Sequence, residues 1–142
     1  MSIAAEAAVR AWINDLPITG EGNPLSRGAY LREQRSPADG AYAVIARQPE
    51  GVTYRVAEDG AVCTARIQCL VYAGTEESSE AAAAALMTEI ERLTGCPEPC
   101  GPGVRVLVTD NRSGPFQIPA GPDTGEQFAF QVNADFVLTS TA

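Results

Sequence analysis

Between residues 127 and 140 the side chains of "QFAFQVNADFVLTS" alternate with a period of two. Phe128, Phe130, Val132, Ala134, Phe136 and Leu138 fall on one side, and Gln127, Gln131, Asn133 and Asp135 on the other. No helix sorts residues this way. A strand does, when one face packs on a core and the other meets water or a neighbour. The chain must therefore build a sheet with one apolar face, and something must cover that face.

The covering layer is visible in two places. Residues 3–16 place Val9, Trp12, Ile13 and Leu16 at helical spacing, with Ala5 extending the stripe and Pro17 as the stop. The run 78–95, "SSEAAAAALMTEIERLTG", predicts a second helix. Ala83, Leu86, Met87, Ile90 and Leu93 form its buried stripe, Ser78 or Ser79 its cap and Gly95 its end.

Further strands are expected over 41–48, over 53–57 after a turn at Pro49-Glu50-Gly51, and over 62–72 after a turn at Glu58-Asp59-Gly60. In the last of these, Cys63, Ala65, Ile67, Cys69 and Val71 make the better core face, opposite Thr64, Arg66, Gln68, Leu70 and Tyr72. A strand at 104–111 has the apolar content of a central one. Residues 112–125 read as a loop containing Arg112 and Asp123, with an extended piece at Phe116–Ile118.

The predicted fold is α+β. It is a single domain over 1–142, mainly an antiparallel sheet with two helices packed on one face. A connection at about 17–40 has no regular structure in this reading, and so long a connection is uncommon unless it binds something.

The chain of 142 residues contains no histidine, so a Ser-His-Asp or Cys-His catalytic pair and an imidazole metal ligand are both absent. The four cysteines do not form a zinc pattern. Cys63 and Cys69 lie on one strand face about 20 Å apart at roughly 3.3 Å per residue. Cys96 and Cys100, in "CPEPCGPG", lack the spacing of a redox pair and follow a helix, where the dipole raises rather than lowers a thiol pKa. They read as part of a stiff connector, with a short-loop disulfide left open. Glu76, Glu77 and Glu80 cluster where a helix start favours acids, and neither Asp110 nor Asp135 has an evident catalytic partner. The expectation is of no catalytic residue, no metal and no cofactor.

The net charge is −8, which argues against binding nucleic acid through phosphates. No apolar run is long enough for a membrane helix, and the N-terminus does not read as a signal peptide. Arg27, Tyr30, Arg32 and Arg35 in "SRGAYLREQRSP" combine contact area with hydrogen bonding, as interface residues do. With Arg66 on the polar sheet face, and Arg112 and Phe116 in the later loop, they are the candidate contacts with other subunits or partners.

Several pieces, taken in order, resemble the tail-terminator and neck proteins of long-tailed phages, notably those of GC-rich actinobacteria. These are "AWINDL", "GNPLSRGAYLREQRSP" running into "GAYAVIAR", "EESSEAAAAALMTEIERL" after a long strand, and "FAFQVNADFVLTS". The resemblance implies a structural virion protein at the tail–neck junction, made and assembled in the host cytoplasm. It implies a ring, typically a hexamer, on the major tail tube protein. Such a ring stops tube polymerisation and offers a joining surface to the head-completion or connector protein. DNA would pass through its lumen without specific binding. Another neck or head-completion protein and a small non-enzymatic protein-binding module are the alternatives.

Overall fold

The computed structural model describes residues 3–32, 40–57, 60–119 and 128–141. In chain order the elements are α1 (Ala5–Asn14), β1 (Ala29–Tyr30), β2 (Tyr42–Ala57), β3 (Gly60–Ala73), α2 (Glu76–Glu91), β4 (Thr94–Pro99), β5 (Val104–Ile118) and β6 (Phe128–Thr141). The strands form one six-stranded sheet in the order β1-β2-β3-β6-β5-β4. Every neighbouring pair is antiparallel except β1–β2, which is parallel. Both helices lie on one face, so the α+β architecture with helices on one side is as the sequence predicts.

The alternation in β6 sets the core. Val132, Ala134, Phe136 and Leu138 are buried, and β3 presents Cys63, Ala65, Ile67, Cys69 and Val71 to the same side. From α1, Trp12 meets Phe136 edge-on, with ring centroids 5.8 Å apart. From α2, Ala82, Ala83, Leu86, Met87 and Ile90 close the other half, with Leu93 just beyond the helix. Each large aliphatic or aromatic side chain fully buried here contributes about 1.5–3 kcal/mol against exposure.

Several boundaries differ from the sequence expectation, each for a physical reason. The turn expected at Pro49-Glu50-Gly51 does not form. β2 continues through it, and the pairing with β3 slips between Gln48 and Thr53. A proline is tolerated at such an irregularity, and on a strand whose outer neighbour, β1, reaches only Ala43 and Val44. Ala57 pairs with Gly60; Glu58 and Asp59 of the expected turn lie outside the described residues.

The second helix begins at Glu76, not Ser78. Its cap is Thr75, whose Oγ1 accepts the Ser78 backbone N–H at 3.1 Å. Ser79 is buried and donates to the Val71 carbonyl at 2.8 Å, tying α2 to β3. Gly95 lies in β4 rather than at the helix end.

"CPEPCGPG" is only half a connector. Thr94–Pro99 is an edge strand on β5, with a register slip between Thr94 and Glu98. β5 itself extends to Ile118 through two further slips, where a loop was expected, and it is flanked by the short β4 rather than lying at the centre. Asp123 and Gln127 are outside the described residues.

The connection 17–40 also has more structure than expected. β1 pairs with β2, Thr19 bridges Leu25, and Leu25 is fully buried. Asn14 holds the segment in place: its Oδ1 accepts the Ala29 N–H at 2.7 Å and its Nδ2 donates to the Ala29 carbonyl at 3.3 Å.

Candidate assembly surfaces

The face of the sheet turned away from the helices divides into two halves. Near the start of β2 it is aromatic. Tyr42 stacks on Tyr72 at 5.4 Å and meets Tyr30 edge-on at 6.0 Å. The Arg27 guanidinium lies over the Tyr42 ring at 5.0 Å and the Tyr30 ring at 5.9 Å. Tyr42 is fully buried, and Val44, Leu70 and Ile118 pack around this second small core. Alternation placed Leu70 and Tyr72 on this face, but it could not show that a loop would bring Arg27 and Tyr30 onto it.

The other half is polar. Asp135 on β6, only 6% exposed, accepts from Arg66 Nε at 2.9 Å and from Asn111 Nδ2 at 2.7 Å. Burial pushes its carboxyl up, but the bonds from Arg66 and Asn111 outweigh this and hold it below the usual carboxylate value. Beside this pair, Gln48 Nε2 donates to Gln68 Oε1 at 2.7 Å and Gln131 Nε2 to Asn133 Oδ1 at 2.9 Å. Asn133 Nδ2 reaches Ser113 Oγ at 3.3 Å. These groups line a groove of about 380 Å³.

The sequence-derived candidates fall in three places. Arg27, Tyr30 and Arg32 sit at or beside β1, at one edge of the sheet, and Arg27 and Tyr30 are brought together there. Arg66 lies centrally on the open face, against Asp135. Arg112 and Phe116 lie on β5, near the opposite edge, and Arg112 donates to the Thr109 carbonyl at 3.3 Å. Arg35 lies outside the described residues.

The same two edges carry exposed apolar side chains. Leu31, directly after β1, is 42% exposed, and Phe116 on β5 is 52% exposed. Four strand spacings separate β1 from β5, about 19 Å at roughly 4.8 Å each. Leu31 was missed in the sequence, since one leucine among charged residues carries no pattern. Val62, 38% exposed, is on the open face at the far end of β3.

A second cleft, of about 730 Å³, lies between the segment Gly22–Ser26 and the start of α2 and includes Thr75 and Ser78. Cys63, Cys69 and Cys100 are buried and Cys96 is exposed, all as free thiols. Burial pushes the Cys69 thiol up to about 12 and that of Cys100 up to about 11. Among the described residues no three acidic, Cys or His side chains gather in a way that could hold a metal ion. Nor is any described helix long and apolar enough to cross a membrane. Compared with known proteins, the chain matches no protein-family model and no curated sequence.

Proposed function

We propose that this chain is a non-enzymatic structural subunit that closes with copies of itself into a ring of the tail-terminator type. The ring caps the head-proximal end of a phage tail tube, ends its polymerisation and offers a joining surface to the head connector. The observation that carries the ring is the placement of Leu31 and Phe116 at opposite edges of one sheet. A ring needs heterologous contacts, in which one patch meets a different patch on the next copy. One exposed apolar side chain toward each of two opposite sides of the sheet suits that arrangement, whereas a two-fold dimer needs one self-complementary patch. The assignment to a phage tail rests on the sequence resemblance, and the net charge of −8 fits a lumen that lets DNA pass without adhering.

Light scattering and negative-stain imaging of one sample test the reading. Rings of hexameric mass support it, and Arg32→Glu should weaken them while leaving the subunit folded. A subunit that stays monomeric at high concentration and on added tail tubes would point instead to a small protein-binding module.

A further inference from the structure

The polar groove on the open sheet face has a chemistry that the ring does not require. Each of its side-chain amides carries both a donor and an acceptor, and the bonds described above use only part of that capacity. Gln68 accepts through Oε1 but its NH2 group has no protein partner among the described residues, and the same holds for the Oε1 of Gln48 and of Gln131. No buried side-chain polar atom is left without a partner among the described residues, so these spare groups face solvent.

Among the described residues lining the groove the one guanidinium is Arg66, and it is held by the carboxylate of Asp135, so these residues leave no net charge. Asp110 lies opposite Asp135 in the β5–β6 register and is exposed. A phosphate or carboxylate ligand would therefore meet no unopposed cation and two nearby carboxylates. A protein partner is also a poor match, since the core of such an interface is built on apolar anchors rather than on amides.

At the rim stands Phe116. It pairs with Gln131 in the sheet register, so both side chains leave the same face with Cβ atoms about 5 Å apart. Directional donors and acceptors without net charge, beside an exposed aromatic ring, are what a sugar needs. Its hydroxyls both donate and accept, and one side of the pyranose ring presents C–H groups that stack on an aromatic face. We infer that this groove binds a neutral saccharide, with Gln48, Gln68, Gln131 and Asn133 bonding its hydroxyls and Phe116 covering one face of a sugar ring.

The test uses the isotope-labelled full chain and reads the side-chain NH2 resonances of those four residues by NMR. Cellobiose, maltose and N,N′-diacetylchitobiose are titrated separately. At least one should produce saturable shifts in the millimolar range. Gln68→Ala and Phe116→Ala should each weaken binding about tenfold, the loss of roughly 1.4 kcal/mol, while Phe116→Tyr retains it. Gln48→Ala, on the outer strand, serves as a groove variant with little risk to folding, and the backbone spectrum of every variant reports its fold. Absence of saturable shifts with all three sugars overturns the inference, and so do shifts that neither Phe116→Ala nor Gln48→Ala changes. Because the ring reading places the same Phe116 against the next copy, the titrations are made on a Leu31→Asp background that cannot assemble, where Phe116 stays open to the sugar; failure of the ring and failure of saccharide binding are then seen separately.

Discussion

Gly114 shows how a single residue can be fixed by the backbone of the neighbouring strand. Its φ is +104°, and an added Cβ would meet the Gln131 carbonyl oxygen at 2.5 Å and Val132 Cα at 3.2 Å. Both obstacles are backbone of β6 and cannot rotate away. Gly22 has a similar φ of +85° with nothing within 4 Å of the added atom. Gly22→Ala therefore carries only the conformational penalty, about 1–2 kcal/mol, and Gly114→Ala should destabilise by clearly more, about 3 kcal/mol or above once strain at β6 is added. Urea unfolding midpoints of the two variants check this, and equal losses would refute the steric account. The cysteines give a second prediction at this scale. Cys96 should react at once with a thiol reagent in the folded protein, and Cys63, Cys69 and Cys100 only on unfolding, because burial both blocks them and raises their pKa. The buried role of Cys63 and Cys69 was legible from strand alternation alone. That of Gly114 was not, since its close neighbours lie directly across the β5–β6 ladder, where register slips hide the pairing from the sequence.

At the scale of elements, the pieces read most accurately were those whose apolar residues repeat regularly. α1, α2, β3 and β6 each show their buried face in their own sequence. β4 does not: with Pro97 and Pro99 it has no alternation, and only pairing with β5 makes it a strand. In β2 and β5 the sequence shows the separate extended pieces 53–57 and 116–118 but not their continuity with 41–48 and 104–111, because bulges interrupt the period between Gln48 and Thr53 and between Asp110 and Phe116. β4 is also clasped from the helix side. Glu98 accepts from Trp12 Nε1 at 3.3 Å and from Arg92 at 2.8 and 3.0 Å, and Arg92 in turn reaches Glu89 at 3.0 Å. The Arg92 bonds hold the Glu98 carboxyl below its ordinary value. A carboxyl depressed in the fold binds its proton more weakly than in the unfolded chain. Its stabilisation is therefore complete above the unfolded value, about pH 4.3, and is lost as pH falls through the folded one. Glu98→Gln should be less stable than wild type at neutral pH, by about 1 kcal/mol or less because Arg92 is half exposed, and the gap should close in acid. Thermal unfolding from neutrality to pH 3 measures it. A gap that stays constant with pH would exclude the ionised clasp.

For the whole molecule, the decisive fact is that β6, last in the chain, is inserted between β3 and β5. Strand alternation cannot reveal this order, and so it cannot reveal which strands lie at the edges. Leu31 and Phe116 look unrelated in the sequence and become the two sides of one sheet only when β6 joins its halves. This placement predicts the outcome of a mixing experiment. Leu31→Asp spoils one edge and leaves the Phe116 edge intact, while Phe116→Asp does the reverse. If contacts run from one edge to the opposite edge of the next copy, neither variant forms rings alone. Mixed in equal amounts, each supplies the edge the other lacks, and growth stops at a pair because both outer ends are spoiled. Native mass spectrometry should find that pair. A self-complementary contact predicts something else, since both copies of each variant would carry the same defect and mixing would restore nothing beyond either variant alone. Salt adds a second discriminant. Copies of net charge −8 repel one another, so raising ionic strength should favour a ring held by apolar edges, by screening that repulsion. Were the contact held chiefly by ion pairs through Arg32 or Arg112, salt would dissolve the ring instead.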